Sequence, residues 1–169
     1  MITRPSSAAR RSSTAGDADA VTDAVLTASR LLVAVSARSI AAVDDSITLA
    51  QFRLLVVLST RGAVNLSMLA DQLGVNPSTA TRMIDRLIAS GLVSRETNPA
   101  TRREVVVALT EAGALAVRQV TSRRRKEIAR IVGRMPVEQR QGLVEALEAF
   151  ADAGGEPPVS AHDGTIEWI

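Results

Sequence analysis

Between Asn65 and Gly91 the chain encodes two short helices with only Gly74, Val75 and Asn76 between them. Asn65 is placed to cap the first, Leu66–Leu73, and Gly74 to stop it. Asn76 is placed to cap the second, and Pro77 fits its first helical position, where no backbone donor is needed. Ala80, Met83, Ile84, Leu87 and Ile88 then recur at helical spacing as one apolar stripe, and Gly91 supplies a left-handed stop. Few arrangements satisfy so short a turn. Two helices joined tightly through a glycine, the second with a polar N-terminal face, form a helix-turn-helix.

The outward side of the second helix carries Ser78, Thr79, Thr81, Arg82 and Arg86. Hydroxyls exchange hydrogen bonds with base edges and phosphates, and a guanidinium grips guanine or a phosphate with two prongs. This is the composition of a helix that lies in a DNA groove. Arg86 is ambiguous from sequence alone, because Asp85 or Ser90 beside it offers a bracing partner as readily as DNA offers a phosphate.

Downstream, Leu92–Glu96 and Glu104–Leu109 read as two strands, joined by a turn with Arg102 and Arg103 near its tip. A polar hairpin directly after such a helix reads as a wing. Upstream, an Ala-rich amphipathic helix runs from about Ala18 to Val43. Thr48 and Gln51 form a capping box that opens a helix reaching about Thr60. Thr110 caps a long helix to about Arg134, and Pro136 opens a last one carrying Leu143, Val144, Leu147 and Phe150.

The 169 residues are 46% apolar, enough for one good core. Three segments are expected: a disordered basic leader over 1–17, a single domain over 18–153 and an acidic tail over 154–169. No stretch approaches the ~20 apolar residues of a membrane span, so no membrane partner is expected. Without cysteine, structural disulfides, Cys-ligated zinc and thiol redox sensing are excluded, and the compartment is most simply cytoplasmic.

A sequence pI of about 10.3 accompanies a formal charge of only +2, because nineteen Arg, one Lys and one His leave almost nothing to titrate near neutrality. Distribution is more informative. Residues 77–103 hold five Arg against Asp85 and Glu96, a local +3. Residues 118–134 hold six Arg and Lys126 against Glu127, a local +6, while 135–169 hold seven carboxylates against Arg140, a local −6. The last two blocks are complementary and able to pair within the chain or across a dimer.

The helix, helix-turn-helix, two-arginine wing and closing helices, with the runs NPSTATRMIDRLIASGLV (Asn76–Val93) and RREVVVALTEAG (Arg102–Gly113), resemble the MarR family of bacterial winged-helix regulators over about residues 20–152. The resemblance implies a mainly α (α+β) fold: a winged helix-turn-helix over about 48–110, flanked by dimerisation helices over about 18–43 and 110–153. It implies a homodimeric repressor that binds a near-palindromic double-stranded operator. Ser78, Thr79, Thr81 and Arg82 would face the major groove, and Arg103 would reach the minor groove. It also implies release by a small-molecule effector. The family usually places Asp two residues before the wing arginine; here Thr101 stands there, leaving Asp85 as a substitute brace.

Other residues give weaker signals. Arg123, Arg124, Arg125 and Lys126 are consecutive, so on a helix they point all round the axis and do not make one DNA-facing stripe; pairing with the acidic last helix and tail, or plain solvation, is expected. Asp44 and Asp45 read as turn residues, with no His near enough for a metal. His162 is a lone histidine, and Trp168 is an apolar anchor able to dock on its own dimer. Nothing resembles a nucleophile–base set, a phosphate loop or a metal cluster, so neither an enzyme nor a bound cofactor is expected. The alternative from another class is a winged-helix protein-interaction module without DNA binding, which would carry an apolar or acidic face on the same helix.

Overall fold

The computed structural model describes residues 7–97 and 105–155, with side chains from residue 17 onward. The order is α1 (Ser7–Ala41), α2 (Leu49–Arg61), β1 (Val64–Asn65), α3 (Leu66–Leu73), α4 (Pro77–Ala89), β2 (Val93–Thr97), β3 (Val105–Leu109), α5 (Glu111–Val132) and α6 (Val137–Ala153). The fold is mainly helical with one small antiparallel sheet, as the sequence implies. The sheet runs β1-β3-β2, with Val64 opposite Val107 and Val93 opposite Leu109. β1 was not foreseen, since two residues show no alternation.

Local chemistry sets most helix ends where the sequence puts them. Gln51 N–H donates to Thr48 Oγ1 at 3.2 Å and Thr48 N–H donates to Gln51 Oε1 at 2.8 Å, so the capping box is complete. Asn65, Asn76 and Thr110 each accept from the backbone N–H three residues on. Asp44 makes the turn between α1 and α2. Its carboxylate accepts from Ser46 Oγ at 2.6 Å and Ser46 N–H at 2.9 Å, and these bonds hold it below its ordinary pKa.

The start of α1 differs from expectation. It begins at Ser7, inside the stretch read as a disordered leader. Ala and Arg are strong helix formers, Ser and Thr cost only a few tenths of a kcal/mol each, and Gly16, the weakest residue there, costs about 1 kcal/mol within a helix. The 25-residue segment Asp17–Ala41 is also long and apolar enough to cross a membrane by length and composition. This corrects the expectation that no stretch is long and apolar enough: the apolar character is spread among alanines rather than packed into a block. The same helix ends among core residues, with Val35 and Ile40 buried against the domain.

One core holds the DNA-binding-type unit together. Leu54, Leu55 and Leu58 of α2 meet Leu69 of α3, Ile84 and Leu87 of α4, Val107 of β3 and Val117 and Val120 of α5. The hinge between α4 and α5 is unusually tight. Thr110 Oγ1 donates to Gly91 O at 2.7 Å and accepts from Gly113 N–H at 3.0 Å, while Thr110 N–H donates to Leu92 O at 3.2 Å. A Cβ at Gly113 would stand 2.0 Å from Leu92 O, so only glycine fits the first turn of α5.

The outer helices are left uncovered. α6 has no buried residue, and Leu147 and Phe150 on it are 53% and 56% exposed. On α1, Val21, Leu26 and Val33 are each more than half exposed.

Two outcomes follow from this architecture. Gly113→Ala is expected to destabilise the protein by at least about 2 kcal/mol in urea unfolding, because backbone must move to admit the methyl group. Asp44→Ala is expected to cost about 0.5 kcal/mol at neutral pH, the loss of exposed turn hydrogen bonds. Since the folded-state pKa is lowered, that contribution is present above the ordinary carboxylate value of about 4 and lost as pH falls through the lowered value. Thermal melts of the two proteins should therefore converge in acid.

Candidate nucleic-acid interface

α4 is built so that its two sides are chemically separate. Ala80, Ile84 and Leu87 are buried, with Met83 and Ile88 partly buried beside them, which is the stripe anticipated from spacing. Burying side chains the size of Ile84 and Leu87 stabilises by about 1.5–3 kcal/mol each, so the helix has one strongly preferred rotation about its axis. That rotation leaves Ser78, Arg82 and Arg86 exposed and Thr79 and Thr81 half-buried on the other side.

The turn before α4 is equally determined. Gly74 adopts the left-handed conformation at φ 64°, and Val75 N–H returns to Ala70 O at 3.0 Å. Asn76 Oδ1 accepts from Thr79 N–H and Ser78 Oγ, both at 2.8 Å. Thr81 Oγ1 donates back to Pro77 O at 2.9 Å, and Arg82 Nη2 donates to Thr79 Oγ1 at 3.5 Å. Each hydroxyl is thus held by a neighbour on its own helix while keeping acceptor capacity for an incoming group. The Arg82 bond is long and exposed, so its guanidinium can be redirected at little cost.

Asp85 is the surprise of the site. It pairs with Arg95 of β2 at 2.5 Å, tying the first wing strand to α4. Both side chains are about half exposed, so the pair is worth no more than about 1 kcal/mol, and its effect is chiefly positional. Bracing of Arg86 by Asp85 is not what the described residues show, and the Arg103 partner anticipated for Asp85 lies outside them. Ser90 does not hold the Arg86 guanidinium either, because its Oγ donates to the Arg86 carbonyl at 3.1 Å. Among the described residues the Arg86 guanidinium has no partner, which leaves it available beside Arg82 one turn earlier.

The wing ladder runs from Val93 opposite Leu109 to Thr97 opposite Val105. Arg102 and Arg103, together with Thr101, lie outside the described residues, as do His162 and Trp168. Among the described residues no group of His, Asp or Glu is arranged to hold a metal ion. The basic block of α5 makes no ion pair with α6 among the described residues; Glu127 instead pairs with Arg38 of α1. Arg95 is the functional-looking residue that sequence reasoning left without a role. Its only signal was membership of the local +3 block, because pairing with Asp85 depends on how β2 folds back beside α4.

This geometry has close counterparts. The MarR family model matches residues 47–105, the stretch from the start of α2 to the wing. The chain is 30% identical over 103 residues to YfiV of Bacillus subtilis, described as an HTH-type transcriptional regulator; the match covers 61% of this chain and 64% of YfiV, just under two thirds of that protein. Among solved structures, RV1404 from Mycobacterium tuberculosis superposes with a TM-score of 0.78 at 57% identity, covering 84% of this chain and 97% of RV1404. BpsR from Bordetella bronchiseptica superposes with a TM-score of 0.59 at 27% identity, covering 78% of this chain and 93% of BpsR. With the MarR model matched from α2 to the wing and RV1404 superposed over 97% of its length at 57% identity, this chain belongs to the MarR family.

Proposed function

We propose that the protein is a homodimeric, sequence-specific DNA-binding repressor acting in the cytoplasm at the nucleoid. The observation that carries this reading is the rotation of α4, which buries Ala80, Ile84 and Leu87 and presents Ser78, Thr79, Thr81 and Arg82 outward. A protein-interaction module would need an apolar or acidic face there, and this face is polar and basic. In the proposed complex α4 enters the major groove, Thr81 and Arg82 read base edges, and Ser78, Thr79 and Arg86 contact phosphates or neighbouring bases. Arg102 adds a backbone contact from the wing, and Arg103 reaches the minor groove.

A dimer is supported by the exposed apolar residues of α1 and α6, which have no cover among the described residues. Two copies would bring two α4 helices to half-sites about one helical turn apart, roughly 10 bp centre to centre, on a near-palindromic operator. An effector seated between the dimerisation helices and the winged unit would change that spacing and release DNA. In BpsR, DNA binding is regulated by 6-hydroxynicotinic acid. The identity of an effector here is not implied by that likeness.

Fluorescence anisotropy with genomic operator fragments tests the DNA reading. Arg82→Ala should weaken operator binding by about 1–3 kcal/mol and relax sequence preference. Arg102→Ala should weaken all sequences alike and flatten the logarithmic salt dependence by about 0.9 per lost phosphate contact. Unchanged operator preference in Arg82→Ala would refute the assignment. For the dimer, Leu147→Glu combined with Phe150→Glu should shift the mass measured by light scattering from two chains to one, with helical content retained.

A further inference from the structure

The basic run on α5 points all round the helix axis, as consecutive residues must, and part of it falls in with charges further along the helix. Arg123, Lys126, Glu127 and Arg130 stand at helical spacings of three, four and seven, so they share one side of α5. That side meets Arg38, Ser39 and Ala42 of α1, and together these residues line a cavity of about 220 Å³. Arg124 and Arg125 do not line it. Four cations therefore face one space with a single carboxylate among them, and Glu127 is already engaged by Arg38.

A second feature points to a ligand. Ser39 is only 3% exposed, and its Oγ has no hydrogen-bond partner among the described residues. A buried hydroxyl left unpaired costs about 1–3 kcal/mol, and Ser39 is one of the residues that line the cavity, its Oγ lying just beneath the surface of the wall. The lining is otherwise charged, with Ala42 its one apolar side chain, so an aromatic or aliphatic ligand has little to pack against. At ~30 Å³ per water, the space admits a small polyatomic ion and some of its hydration shell.

We propose that the cleft between α1 and α5 is a binding site for a compact multivalent anion, a phosphate- or carboxylate-bearing small molecule. Arg38 and Arg130 supply two-pronged donors, Lys126 and Arg123 supply charge, and Ser39 Oγ donates the short-range hydrogen bond that fixes the anion in depth. The anion takes over Arg38 from Glu127, so binding exchanges the α1–α5 ion pair for a ligand bridge between the same two helices. This site is separate from α4 and the wing and does not depend on DNA binding.

Isothermal titration calorimetry on the full-length protein at constant ionic strength tests it, with pyrophosphate and citrate as probes. Saturable binding near one anion per chain is expected, and the tighter of the two probes identifies phosphate or carboxylate as the preferred chemistry. Lys126→Gln and Arg130→Gln, both exposed substitutions, should each weaken binding roughly fivefold, as expected for a partly solvated charge contact. Ser39→Ala should also weaken it. Glu127→Gln should strengthen it by removing the competing carboxylate, a result that a merely structural role for these residues would not produce. Arg124→Gln, in the same basic run but outside the cleft, should leave affinity unchanged. Absence of saturable heat with both anions, or an equal loss in Arg124→Gln, overturns the proposal. Circular dichroism of each variant confirms that the helices are retained.

Discussion

The contact on which this architecture turns is the approach of the first turn of α5 to the carbonyl of Leu92. Gly113 is accommodated there because it has no Cβ, and Thr110 binds both Gly91 O and the Gly113 N–H in the same few ångströms. This joint locks the C-terminal end of α4 against the start of α5. The orientation of the polar face of α4 is thereby referred to the long helix that leads away toward the exposed apolar elements.

Around that joint, two kinds of interaction divide the work. Burial of leucine, isoleucine and valine from α2, α3, α4, β3 and α5 supplies the stability, since apolar burial scales with area and has no preferred direction. Exposed ion pairs supply little energy but fix relative position. Asp85–Arg95 sets the first wing strand beside α4, and Arg38–Glu127 sets α1 beside α5. Because such pairs are weak, a ligand or a phosphate backbone can displace them at small cost, which suits them to surfaces that must respond to binding.

The incomplete burial of α1 and α6 has a different meaning. Leu26, Leu147 and Phe150 are more than half exposed on the outer helices, an apolar surface that the described residues do not cover. The same apolar character explains why a segment of α1 satisfies the composition of a membrane span. Both features express one property, an apolar helix surface without cover among the described residues, and a second copy of the chain is the partner we propose for it.

How much of this was legible in advance depends on the range of the forces involved. The caps at Thr48, Asn65, Asn76 and Thr110, the stop at Gly74 and the buried stripe of α4 could all be read from the chain, because each rests on groups within four residues of one another or on a helical repeat. The rotation of α4, and with it the outward set Ser78, Thr79, Thr81, Arg82 and Arg86, follows from that stripe. Partners ten or more residues away were decided only by tertiary structure. Asp85 meets Arg95 because β2 folds back beside α4, β1 exists because β3 offers it an edge, and Arg38 meets Glu127 across 89 positions. The basic run of α5 shows the division most plainly: periodicity distributes its charges around the helix, but only the packing of α1 selects Arg123, Lys126 and Arg130 to share a cleft with a buried, unpartnered Ser39. Local hydrogen bonding and hydrophobic period are written residue by residue, whereas charge pairing and cavities arise where separate elements meet.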